Sequence, residues 1–185
     1  MHVILSNISW MSFNVLLALV AVLFGWLMKK TTLKLLRIIY GVAWIIFLPN
    51  TLYLVTDIIH LFRDMHHVHG ACRLILIFQY LLLLLLGIIT YVTAVYPAEK
   101  VAVEKMKWNS TVFVLLINVL ASFGIILGRV KRVSSWYFVT NLPGLLHASG
   151  QVLTSLHLVL LIFFFTLVST ILYLAVRACF PRNAR

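Results

Sequence analysis

The sequence predicts an all-α integral membrane protein, a polytopic transmembrane bundle of five spans in a single domain over residues 1–185. Composition is the first reason. Hydrophobic residues make up 63% of the chain and charged residues 10%, with a mean hydropathy of +1.09, whereas soluble proteins are about half apolar and about a quarter charged. The second reason is that apolar runs of membrane-spanning length recur between short polar connectors. The predicted spans are approximately 11–28, 38–58, 74–96, 108–128 and 152–176.

The strongly basic balance points to membrane lipids as partners. A net charge of +11 would indicate nucleic acid in a soluble chain. Here the basic residues flank apolar runs, where they contact anionic headgroups, and no basic soluble module is present. We therefore expect lipid partners and no nucleic acid. The sequence leaves open both unknown protein partners and a homo-oligomer.

The first span begins after ten residues without Lys or Arg and ends at Lys29 and Lys30. A secretory signal peptide has the opposite charge order, so this segment is expected to be an uncleaved span. Asn14 is its one strongly polar side chain and is expected to face another helix.

The second span carries the residues on which the site prediction depends. Pro49 lacks a backbone N–H and frees the carbonyl of Ile45, which predicts a kink. Polar residues follow at steps of three and four, so they share a helix face: Asn50, Tyr53, Asp57, His60 and Asp64. Polar residues at membrane depth are candidate functional sites.

The later spans differ in their polar content. The third has six consecutive leucines from Leu81 to Leu86, typical of a lipid-facing helix, with Gln79 as the marked exception. In the fourth, Asn118, Ser122 and Arg129 share one face. The fifth carries His157 in its first two turns.

Histidines are concentrated in the segment 60–69, whose role the sequence does not reveal: His60, His66, His67 and His69. We considered a loose metal site and a haem held between His60 and His157. No HExxH or CxxC signature supports a metal, and exposed loop histidines are usually solvated. We therefore predict no metal and no cofactor.

Basic residues in the connectors predict the orientation. Ten lie on the side of the first connector, the third connector and the C-terminal tail, and five lie on the other side. The positive-inside rule then places the N-terminus outside and the C-terminus in the cytoplasm. With this topology, Asp57, His60, Arg129 and His157 converge at the outer interface, with His157 about 8 to 9 Å below the outer helix end. Asp57 is expected to pair with Arg129.

Two motifs carry a family resemblance. The first is Trp44-Ile45-Ile46-Phe47-Leu48-Pro49-Asn50 with Tyr53 to Asp57 and His60-Leu61; the second is Ser122-Phe123-Gly124 to Gly128-Arg129 with Arg132 and Ser135-Trp136. They resemble the signatures of a bacterial integral-membrane family known only as a domain of unknown function (number 1361). The resemblance implies a small protein of the bacterial plasma (inner) membrane and supplies no activity.

Three functions remain open from the sequence. The first is binding of a small anionic or lipid-headgroup ligand at an outer polar site, with Arg129 and Arg132 as anion contacts. The second is an intramembrane or lipid-modifying enzyme with Asp57 or His60 as general base and Arg129 stabilising negative charge. The third is a structural subunit of a membrane complex. The candidate site residues are Asn50, Tyr53, Asp57, His60, Arg129, Arg132 and His157.

Overall fold

The chain folds into α-helices, and a computed structural model describes it over residues 2–132 and 137–179. No strand occurs within those ranges. Among the described residues, five helical stretches have the length and apolarity needed to cross a membrane. They are Ile4–Lys30, Lys34–Thr56, Ala71–Met106, Ser110–Val130 and Leu156–Cys179. The all-α, multi-span prediction is therefore confirmed.

Two compact units divide the chain, Met1–Pro97 and Ala98–Arg185, and we describe each by itself. The helices of the first unit are α1 (His2–Lys30), α2 (Lys34–Phe47), α3 (Pro49–Thr56), α4 (Ile59–Met65) and the greater part of α5 (Ala71–Met106). Between α4 and α5, Gly70 has a φ of +60°, which suits the reversal of the chain there. Helix α1 packs along α2 and α3.

Close helix packing in the first unit depends on two glycines. A Cβ on Gly25 would lie 2.8 Å from the carbonyl oxygen of Ala94, which also accepts a 3.0 Å hydrogen bond from the Trp44 indole. A Cβ on Gly87 would meet Leu54 at 2.9 Å. Larger side chains at either glycine would force these helices apart.

The second predicted span is interrupted at Leu48, where Pro49 begins α3. The Asn50 amide donates to the carbonyl of Phe47 at 2.9 Å, and the Thr51 hydroxyl donates to that of Leu48 at 2.8 Å. Side chains therefore donate hydrogen bonds to backbone carbonyls around the break. A membrane helix tolerates proline when such groups satisfy the backbone carbonyls near it. A second interruption follows at Asp57 and Ile58, so the predicted single helix through residue 64 is three shorter segments.

The second unit contains α6 (Ser110–Val130), α7 (Tyr137–Thr140), α8 (Leu142–Thr154) and α9 (Leu156–Cys179). The Asn109 side chain caps α6 by accepting from the backbone N–H of Thr111 and Val112. Helix α9 begins at Leu156, later than the predicted fifth span, because Ser155 adopts an extended conformation (φ −96°, ψ 107°) and ends α8. His157 is thus an exposed residue in the first turn of α9 rather than one two turns deep.

Replacing Pro49 tests the cause of the break. We expect Pro49→Ala to insert normally and to join α2 to α3, because the new N–H can bond to the carbonyl of Ile45. Amide hydrogen exchange should then show slow exchange at residue 49. Pro97→Ala is the matched control, since Pro97 already lies inside the continuous helix α5 and its replacement should leave the helix bounds unchanged. Fast exchange at residue 49 in the first variant would contradict the explanation.

Candidate functional site

Seven side chains of the first unit form an acid cluster that joins α1 to the segment containing α3 and α4 and to α5. Asn7 contacts Asp64 and Asn14 contacts Asp57. The two asparagines are seven residues apart in sequence, and so are the two aspartates, which is about two helical turns. The earlier asparagine contacts the later aspartate, so the two segments run antiparallel. The acid cluster consists of Asn7, Trp10, Asn14, Asp57, His60, Asp64 and Tyr80.

Asp64 is a buried carboxylate of the acid cluster with several partners, and it is 7% exposed. Its Oδ2 accepts from the Asn7 amide at 2.9 Å and from the Tyr80 hydroxyl at 2.8 Å. The Arg63 Nε lies 3.5 Å from its Oδ1. The Asn7 oxygen in turn accepts from the Trp10 indole at 3.0 Å. This network holds α1, α4 and α5 together through one buried charge.

Asp57 is 4% exposed and has a different environment. Its Oδ2 accepts from the Asn14 amide at 3.3 Å, and the His60 Nε2 lies 3.9 Å from its Oδ1. That last separation exceeds hydrogen-bond length. The His60 side chain remains 33% exposed and meets the Trp10 ring edge to face, with centroids 6.2 Å apart. The result is a half-exposed imidazole beside a buried carboxylate.

The pKa of Asp64 lies below its ordinary value of 3.8. Burial of the carboxyl group raises the pKa, but hydrogen bonds from Asn7 and Tyr80 and the nearby Arg63 guanidinium together outweigh burial. The charged form is therefore the form that the fold stabilises.

The remaining predicted site residues of the first unit lie on α3. Asn50 is buried and uses its amide on the Phe47 carbonyl, and Tyr53 is half-buried. The expectation that Asn14 faces another helix is confirmed by its bond to Asp57. The sequence analysis did not predict Asn7 as a site residue, because the predicted first span begins at residue 11. It did not single out Tyr80 in the third span either.

The predicted basic residues belong to the second unit, at the C-terminal end of α6. Arg129 lies in the last turn, Lys131 caps the helix, and Arg132 follows with a φ of +54°. The Lys131 ammonium donates to Gln151 Oε1 at 2.7 Å, and Gln151 Nε2 lies 2.9 Å from His147 Nε2 on α8. We call these five residues the basic cluster. The pairing of Asp57 with Arg129 stays a prediction.

A second buried carboxylate site occurs in the second unit, around Glu99. The Arg177 guanidinium lies 2.6 Å from its Oε1, the Ser110 hydroxyl donates to Oε1 at 2.6 Å, and the Tyr173 hydroxyl donates to Oε2 at 2.5 Å. Glu99 is 4% exposed, although it belongs to a mixed-charge stretch of the sequence that includes Lys100 and Glu104. This network joins α5, α6 and α9 and has the character of a structural clamp.

The predicted polar face of α6 is confirmed for its two central members. Asn118 and Ser122 are both fully buried. The Asn118 amide donates to the Thr170 hydroxyl at 2.9 Å, across to α9. Within the described ranges, no three His, Cys, Asp or Glu side chains gather closely enough to hold a metal ion.

The two sequence motifs agree with a comparison to known families. The chain matches the model of the family described as Protein of unknown function (DUF1361) over residues 13–172. The chain belongs to this family. No curated protein and no solved structure matches it. The family description supplies no activity.

Acid titration tests the environment of Asp64. Its pKa is lower in the folded than in the unfolded chain, so its contribution to stability is complete above about pH 4 and is lost as the pH falls further. We expect the difference in melting temperature between wild type and Asp64→Asn in detergent to be constant from pH 7 to 5 and to shrink towards pH 3. Glu104→Gln, at an exposed carboxylate, is the control and should not alter the acid-dependent loss. A melting-temperature difference between wild type and Asp64→Asn that does not change with pH would contradict the lowered pKa of Asp64.

Proposed function

We propose that this multi-pass protein binds a small anionic or lipid-headgroup ligand through its basic cluster. The observation that carries the proposal is the grouping of Arg129, Lys131 and Arg132 within four residues of sequence, with Lys131 oriented by Gln151. We further propose that the protein resides in a bacterial plasma membrane with its N-terminus outside, as the distribution of basic residues favours. The basic cluster would then lie at the outer headgroup level.

The chemistry of the basic cluster fits a phosphate or carboxylate. Guanidinium groups present paired N–H donors that match such anions. Lys131 adds a third cation, and its ammonium group donates a hydrogen bond to Gln151 Oε1. Cations are also favourable at a helix C-terminus without any ligand, because they interact with the helix dipole. A binding measurement therefore has to distinguish ligand binding by these residues from stabilisation of the end of α6. In the ligand site predicted from the sequence, Asp57 orients Arg129, and Asn50 and Tyr53 add hydrogen bonds to the ligand.

An enzymatic function is the second candidate, because of the geometry around His60. The half-exposed imidazole has a buried carboxylate beside it, and that carboxylate is fixed on its other oxygen by Asn14. A carboxylate at hydrogen-bond distance can orient an imidazole as a general base, and closing the 3.9 Å separation would bring His60 to that geometry. A structural subunit is the third candidate, and it is supported by the complete pairing of Asp64.

Lipid retention tests the binding proposal. Purified protein is mixed with equal amounts of phosphatidylglycerol and phosphatidylcholine, and the lipid retained is measured by native mass spectrometry. We expect wild type to prefer the anionic lipid and Arg129→Gln/Arg132→Gln to lose about fivefold in preference per charge, since each cation near a headgroup contributes about 1 kcal/mol.

The control variant is Lys105→Gln/Lys107→Gln, which removes two cations where α5 ends. It should lower the preference for phosphatidylglycerol less than the arginine variant does, because it removes flanking cations that do not belong to the basic cluster. Equal losses in both double variants would mean that only net charge matters, and no loss in the arginine variant would exclude the basic cluster as the site.

A further inference from the structure

A groove of about 300 Å³ runs between α1 and α5 in the first unit. Met11 and Leu83 are buried and form its floor, while Ile8 and Leu82 are half-exposed and form its rim. Its other lining residues are Ser12, Val15, Gln79 and Leu86. We call this surface the Gln79 groove. Its lining is apolar except for Ser12 and Gln79, and it lies on two helices that can cross a membrane.

Gln79 is the feature that needs a partner. Its Nε2 donates to the carbonyl of Ile4 at 3.3 Å. Its Oε1 is buried and accepts no hydrogen bond from any residue in the described part of the chain. Hydrocarbon chains carry no donor, so lipid tails filling the groove would leave this oxygen unsatisfied. A hydrogen-bond donor from another transmembrane helix is the group that suits it.

We propose that the Gln79 groove is the interface between two copies of this chain. A carboxamide has two N–H donors and an acceptor oxygen, and only one N–H of Gln79 is used by Ile4. Two such groups facing each other across a two-fold axis can each donate the second N–H to the other's Oε1. The contact is self-complementary, as a two-fold interface requires. The terminal side-chain torsion of glutamine is only weakly restricted, so a rotation can bring Oε1 from below the groove surface to its partner. The same rotation releases Nε2 from the Ile4 carbonyl and frees its N–H groups for the second copy.

The shape of the groove agrees with this arrangement. Residues 8–15 of α1 and 79–86 of α5 line it over the same length, about 10 Å along each helix. With the two-fold axis along the membrane normal, equivalent residues lie at the same depth. The Leu82 side chains of the two copies then face each other next to the Gln79 pair and cover the Met11 and Leu83 floor.

Cysteine crosslinking tests the interface in the full chain. In a Cys72→Ser/Cys179→Ser background reconstituted into lipid vesicles, Leu82→Cys and Leu81→Cys are oxidised with copper phenanthroline. Both leucines are 48% exposed, but Leu81 is about 200° from Gln79 around the helix. We expect at least fivefold more disulfide-linked dimer from Leu82→Cys. Adding Gln79→Leu should reduce that yield severalfold.

Equal yields at the two positions, or an unchanged yield after Gln79→Leu, would overturn the proposal. So would a chain that stays monomeric in vesicles, with lipid or the helix of a different protein in the groove. If Gln79→Leu fails to fold by circular dichroism, Ile8→Trp replaces it, because it obstructs the rim and keeps the amide. Dimer yield from Leu82→Cys should fall in that variant too, and persistence of the dimer would overturn the proposal.

Discussion

Two buried carboxylates impose the main constraint on the first unit. An ionised carboxylate that is removed from water is costly unless hydrogen bonds and charges compensate it. Here each carboxylate takes an amide from α1, Asn7 for Asp64 and Asn14 for Asp57. Because both bonds must form at once, α1 can occupy only one register along α3 and α4. A slip by one residue would turn both amides away and remove one hydrogen bond from each buried carboxylate.

Other contacts in the first unit are consistent with that register of α1. Asp57, His60 and Asp64 lie at and after the interruption at Asp57–Ile58, and all three contact side chains of α1. The small residues Gly25 and Gly87 let the neighbouring helices approach. Tyr80 then reaches Asp64 from α5. His60 is the member of this group that keeps a third of its surface exposed. The buried part of the acid cluster therefore joins the helices, and His60 is partly accessible to solvent.

The sequence predicted the class of fold because apolar runs and their polar connectors are properties of composition. It also predicted the break at Pro49 and the inward-facing Asn14. It did not predict the bond between Asn7 and Asp64, since that depends on how far α1 extends before residue 11. The matching spacings of Asn7, Trp10 and Asn14 and of Asp57, His60 and Asp64 were a usable signal. Glu99 was missed because burial of a charge depends on tertiary contacts with Ser110, Tyr173 and Arg177, which no local pattern reveals.

A double-mutant cycle on Asn7 and Asp64 tests this account most directly. Unfolding free energies are measured in detergent for wild type, Asn7→Ala, Asp64→Ala and the double variant. We expect a coupling of about 1.5 to 3 kcal/mol, the range for a hydrogen bond to a charged group, and additive effects when Asn7→Ala is combined with Glu104→Gln. Additive losses for Asn7 and Asp64 would mean that the two side chains do not couple, and the buried-carboxylate constraint would be wrong.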